Sequence, residues 1–168
     1  MKLTRKIRKI PEAVLAFSAM LILPFFSRPM IVVMARGLGR MAFMFSSRLK
    51  RIAMANMDVV FGGDIDAVKK KELVIESFQT FSLVLLDLFW FSRNTGSRIS
   101  RYVIWDESSE RLIANRRAIV VSAHLGNWEV AGLTIGAKGH SMISVAAPLK
   151  NRFVDGILRK MRTGTAHS

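Results

Sequence analysis

Residues 118–139 read AIVVSAHLGNWEVAGLTIGAKG. The first six are a continuous apolar, partly β-branched run of strand length, the pattern of a strand buried on both faces. The last thirteen, from Asn127 to Gly139, read as a helix. Asn127 is a suitable N-cap, Glu129 puts an acid in the first turn, and Gly139 is a C-terminal stop. Between them lie His124, Leu125 and Gly126. His124 would sit at the carboxyl end of the strand, where open α/β sheets place their ligands. On one helix, residues five apart differ by about 140° and do not share a face. His124 and Glu129 therefore meet only if His124 lies on the incoming loop, and Gly126 permits the sharp turn this needs.

A carboxylate on one ring nitrogen fixes the imidazole tautomer and stabilises the imidazolium formed when the other nitrogen takes a proton. His124 and Glu129 then form a general base for a hydroxyl or water nucleophile. The free amides at the helix start offer stabilisation to developing negative charge. The spacing leaves a plainer reading open, in which His124 is a hydrogen-bonded structural group at a strand end.

Outward from this stretch, the alternation continues. RYVIW (101–105) and SMISVAA (141–147) read as strands, DESSERLIANRR (106–117) as a helix opened by Asp106, and RFVDGILRKMR (152–162) as the last helix. Strand and helix in alternation predict an α/β fold: an incomplete, mostly parallel βαβα sheet domain behind N-terminal membrane-associated helices. The expected division is a basic membrane-anchor or interfacial segment, 1–50, and a catalytic domain, 51–168.

The chain has 168 residues, half of them apolar, with 26 Lys+Arg against 12 Asp+Glu. Strong charge with high hydrophobicity is not the signature of disorder; it suits a protein lying against an anionic surface. Residues 1–51 hold 11 basic residues and one acid, Glu12, while residues 52–168 hold 15 basic and 11 acidic. The excess thus flanks the apolar AVLAFSAMLILPFF (13–26), which favours a membrane over nucleic acid. That run makes a helix of roughly 21 Å, short of the ~30 Å hydrocarbon core. Extension to Ala35 includes Pro24, Arg28 and Pro29, and a mid-helix arginine costs about 2.5–3.5 kcal/mol. A membrane anchor or re-entrant segment, a buried core helix and a cleaved signal peptide all fit, in that order of preference.

GRMAFMFSSRLKRIAMANMDVVFGGD (39–64) reads as one interfacial helix ending near Gly62 and Gly63, with an amphipathic core helix as the alternative. Residues 67–92 read as a second helix, apolar nearly all round over FQTFSLVLLDLFWF (78–91), with Asp87 inside that run. Asp87 either pairs with an arginine or points to a polar boundary. The absence of cysteine excludes disulfides, thiolate nucleophiles and cysteine-ligated metals. No G-x-S-x-G elbow, Walker A loop or H-E-x-x-H signature occurs. The histidines lack metal-ligand spacing, so no metal site is expected.

The hexamer HLGNWE (124–129) resembles the H-x-x-x-x-E block of the late, lauroyl/myristoyl-type acyltransferases of lipid A biosynthesis, within the lysophospholipid acyltransferase superfamily. RIAMANMDVVFGGD (51–64) is similar to that family's R-x-A-x-x-N-x-x-x-x-F stretch, and APLKNRFVDGILRKMRTG (147–164) to a later block in which an asparagine precedes a helix ending in a functional arginine. The resemblance covers Met1 to about Gly164. It implies a membrane-bound acyltransferase moving an acyl chain from acyl carrier protein, or acyl-CoA, to a hydroxyl of a lipid A precursor at the cytoplasmic face of the inner membrane. It implies no organic cofactor. His124 would be the base and Glu129 its partner; Gly126, Asn127 and Arg162 would handle substrate, Arg162 at the reacting carbonyl.

Two departures stand out. Ala147 occupies a position where the family often carries arginine, and family members continue past TGTAHS with further strands and helices. A half-sheet ending there leaves an exposed strand edge, so the expectation includes a truncated chain or inactive remnant. A non-catalytic, basic peripheral membrane protein is the rival reading, and it leaves the hexamer unexplained. A nucleic-acid binder ranks last, because the apolar segments dominate.

Overall fold

The structure is a computed structural model that describes residues 9–114, 119, 121, 123–145 and 147–163. Helix α1 spans Lys9–Ile22 and passes into a 3-10 turn, Leu23–Phe25, at Pro24. Helix α2 is Arg28–Phe45, with Pro29 in its first turn where a missing N–H costs nothing. Then follow α3 (Ser47–Phe61), α4 (Ala67–Trp90), α5 (Thr95–Tyr102), α6 (Glu107–Ala114), α7 (Trp128–Ala137) and α8 (Arg152–Thr163).

The expected α/β sheet is not formed: no strand occurs among the described residues. Arg101 and Tyr102 close α5, and the backbone is irregular from Val103 to Asp106 and from Ser141 to Val145. Of 118–123, only Ile119, Val121 and Ala123 lie within the described residues, and none is in a strand. The reason is physical. β-Branched residues favour extended backbone, but a strand exists only through a ladder and a face to bury. Ile104, Ile119, Val121, Ile143 and Val145 are all almost wholly exposed. A helix meets its backbone needs internally, so helices form at Ala67–Trp90, Glu107–Ala114, Trp128–Ala137 and Arg152–Thr163, over stretches read as helical. Residues 115–117 of the expected 106–117 helix lie outside the described residues.

One expected helix is broken. Residues 39–61 belong to two helices that meet at Ser46, with axes bent by 95°. The end at Gly62 is as expected; its N–H donates to the Asp58 carbonyl, with φ at +50°. Asp106 Oδ1 accepts from the Ser109 N–H at 2.9 Å, so it serves α6 as its sequence position predicted. Its carboxyl is held below the usual range by the hydroxyl of Ser108 and by Ser109.

The chain divides into two compact units, 26–86 and a second made of 1–25 with 87–168. In the first, Ile31, Ala35, Gly39 and Phe43 form a buried i, i+4 stripe on α2. Phe43 meets Phe78 edge-on at 5.9 Å, and Gly39 lies directly against the α4 backbone. Among the described residues, α4 is the one helix long and apolar enough by itself to cross a membrane, and α2 with α3 passes the same test only as a bent pair.

In the second unit, Arg98 ties separate segments together. Its guanidinium lies 4.0 Å from the Trp90 ring centroid, and it donates to the carbonyls of Trp90 and, at 2.6 Å, Pro24. Burial, then Arg93, lowers its pKa, but arginine keeps its charge. Ile99, Val130 and Leu133 are buried, and α5 contacts α7. Helix α8 contacts α1, where Asn151 Nδ2 donates to Glu12 Oε2 at 3.1 Å.

A Cβ on Gly39 would lie 2.5 Å from Gln79 Cα and N. Real side chains do not approach backbone so closely, and overpacking costs about 1–3 kcal/mol or more. Gly39→Ala is therefore expected to lower the melting temperature measurably, whereas Gly37→Ala, with nothing within 4 Å, should leave it unchanged or slightly raised.

Candidate active site

Helix α7 begins as its sequence predicts. Asn127 is the N-cap, with Oδ1 accepting from the Val130 N–H at 3.1 Å. At the other end, the Gly139 N–H donates to the Gly136 carbonyl and the His140 N–H to the Ile135 carbonyl. With Gly139 at φ +85°, this is a Schellman stop. The two caps fix α7 in register and leave Glu129 in the first turn, where the helix dipole favours a carboxylate.

His124 lies outside the helix on the incoming loop, exposed, with φ at +56°. A left-handed backbone costs a non-glycine residue about 1–2 kcal/mol and concentrates at functional sites. Gly126 follows at φ +66°. No atom lies within 4 Å of where its Cβ would stand, so backbone angle rather than space calls for glycine there. The His124 ring packs edge-on against Trp128, with centroids 4.9 Å apart. Nothing in the spacing of the hexamer had singled out Trp128 for this contact.

Glu129 and Arg162 come together across 33 residues of sequence. Arg162 Nε donates to Glu129 Oε2 at 3.0 Å, and Nη2 to Oε1 at 2.5 Å, a two-pronged fork on one carboxylate. The Glu129 side chain is 13% exposed and that of Arg162 40%. The bond to Glu129 raises the Arg162 pKa against the opposing effect of burial. Arg162 stands in the last turn of α8, a favourable place for a cation. The start of α8 fixes its register: Asn151 Oδ1 accepts from the Phe153 N–H at 3.2 Å, and Asp155 Oδ1 accepts from the Leu149 N–H at 2.9 Å.

A further participant emerges only from the structure. Asp87, 2% exposed near the end of α4, accepts from Asn127 Nδ2 at 2.7 Å. The sequence offered one signal, an acid set in an apolar run with an arginine or a polar boundary as its expected surroundings, and did not point to Asn127, 40 residues away. The pieces are thus an imidazole on a loop of positive φ packed against Trp128, a capped helix start, and a carboxylate gripped by a guanidinium; Glu129 bonds Arg162, and no bond joins it to His124. Such a set can take a proton from a nucleophile and stabilise negative charge at a carbonyl.

These features suit an enzyme of acyl transfer. The chain matches the family of bacterial lipid A biosynthesis acyltransferases over residues 2–167, and it belongs to that family. Family membership implies an acyl donor and a glycolipid acceptor. No curated protein and no solved structure matches the chain.

The Glu129–Arg162 fork predicts non-additive losses. Glu129→Gln and Arg162→Met should each lower thermal stability, and the double variant should lose little more than the worse single. The coupling energy is expected to be about 1 kcal/mol from melting curves; strictly additive effects would contradict the pair.

Proposed function

We propose that the chain transfers a fatty acyl group from acyl carrier protein, or from a CoA thioester, to a hydroxyl of a lipid A precursor. His124 takes the proton of that hydroxyl, and the oxygen attacks the thioester carbonyl. The tetrahedral intermediate collapses by breaking the C–S bond. The departing thiolate takes the proton from the imidazolium, so an ester and a free thiol result. Amides at the start of α7, Gly126 and Asn127 among them, stabilise the oxyanion. Glu129 orients the imidazole and supports its positive charge, and Arg162 holds that carboxylate in place while lending positive charge near the reacting carbonyl. The scheme balances without a metal or organic cofactor.

The observation that carries this reading is the Glu129–Arg162 fork. It joins the HLGNWE block to the later asparagine–arginine block, the two stretches on which the family resemblance chiefly rests. Charge and hydropathy support a membrane setting, and the family supports the choice of the inner membrane. Residues 1–50 serve as a basic anchor at the cytoplasmic face of the inner membrane, and residues 51–168 as catalytic portion. The bent α2–α3 pair and α4 supply apolar length, while the 11 basic residues before Ile52 attract anionic lipid and an acidic carrier protein.

The test is acyl transfer by membranes carrying the chain, with labelled acyl carrier protein or acyl-CoA as donor and a lipid A precursor as acceptor. His124→Ala should reduce turnover by about 10²–10⁴-fold, the usual contribution of a general base. Protein amount in the membrane should not change. Transfer that persists in His124→Ala would remove that residue from the mechanism.

A further inference from the structure

Among the described residues, Asp87 is the one charged side chain that is buried, in the last turn of α4 beside buried Leu88, Trp90 and Phe91. An ionised carboxylate is costly to take from water unless hydrogen bonds compensate it. Hydrophobic residues of similar volume would fill the place without that cost, so the bond Asp87 makes calls for an explanation. Its Oδ2 accepts from Asn127 Nδ2 at 2.7 Å. An amide can sit either way round, and only one orientation presents Oδ1 to the Val130 N–H, where it accepts at 3.1 Å. The Asp87 oxygen that accepts from Nδ2 matches that same orientation, so both bonds hold the amide one way round.

Asn127 is the fixed point of the loop. On one side are Gly126 and His124, both with positive φ. On the other is Trp128, whose ring meets the His124 imidazole. A left-handed histidine persists only where its surroundings hold it. We propose that Asp87 is the positioning residue of this site: by holding Asn127 through Nδ2, it sets the loop and the start of α7 so that His124 keeps its place against Trp128. This rests on His124 being the general base, and it adds a residue outside the motif blocks that acts through Asn127 without touching substrate.

The test exchanges the two side chains. Asn127→Asp retains a good N-cap but sets two carboxylates against each other. Asp87→Asn in the same chain restores a donor–acceptor pair of reversed sense, with the second oxygen of the introduced carboxylate left for the Val130 N–H. Two quantities are read in the full chain in membranes or detergent. One is kcat and KM for acyl transfer; the other is the ring resonance of His124 in histidine-labelled protein, assigned with His124→Ala.

Asn127→Asp should lower kcat about 10- to 100-fold, the range for a broken charge-assisted hydrogen bond, with KM little changed. The His124 resonance should move. The exchanged pair should recover kcat to within about fivefold and return the resonance to its original position. An unchanged Asn127→Asp variant, or an exchanged pair no better than it, overturns the proposal. If either fails to fold by circular dichroism, Asp87→Asn alone, equal in shape, decides: the His124 resonance moves, or the proposal falls. Undiminished transfer in His124→Ala sinks the general-base reading instead. Transfer lost in His124→Ala, with Asp87→Asn and Asn127→Asp both normal, sinks only the role of Asp87. Without measurable transfer in the parent, the resonance alone decides between the two outcomes.

Discussion

Asn127 carries two demands in one side chain. Its carbonyl oxygen must face the open amide of Val130, and its amino group must find an acceptor in a partly buried place. Asp87 meets the second demand and so makes the first reliable. The phase of α7 follows from that cap, because the first satisfied amide decides which residue opens the helix. Glu129 then falls in the first turn, its carboxylate where Arg162 grips it. A one-residue slip would swing Glu129 by about 100° around the helix and separate that pair. The polar chain Asp87–Asn127–Val130 is thus the constraint on which the geometry of the site depends.

The guanidinium end has its own anchor. Arg162 lies eleven residues beyond Asn151, so its position depends on where α8 starts. Asn151 and Asp155 fix that start by accepting from Phe153 and Leu149, and Asn151 is held in turn by Glu12 of α1. A side-chain cap therefore stands at the head of each helix that contributes to the fork. In each case the capping asparagine also donates to a carboxylate far off in sequence. The same device appears twice, and it spares the site from relying on the exposed loop residues between.

How much of this the sequence disclosed depends on range. Helix ends were legible wherever the signal is local: Asp106 before α6, Asn127 and Gly139 around α7, Gly62 after α3. The break at Ser46 was not, since serine inside an apolar stretch stops a helix only when the surroundings favour the bend. The three expected strands failed for a related reason. Val and Ile signal an extended backbone from their own sterics, but a ladder partner lies elsewhere in the chain. Among the described residues these stretches have none, and Ile104, Ile119, Val121, Ile143 and Val145 are exposed.

The site divides in the same way. His124 on the loop and Glu129 in the first turn could be placed by helical geometry alone. Arg162 could be associated with them only through the family resemblance, since nothing in its local pattern points 33 residues back. Asp87 was visible as an anomaly whose counterpart could not be named. Burial of a charge raises its energetic stakes: in low dielectric a satisfied carboxylate orients what it binds far more strongly than an exposed one would. The HLGNWE motif holds the proposed reacting groups, and the proposed role of the acid within the apolar helix is to set where they stand. Sequence motifs record the first kind of information in consecutive letters; the second is written in pairs such as Asp87 and Asn127, which become readable only when the chain is folded.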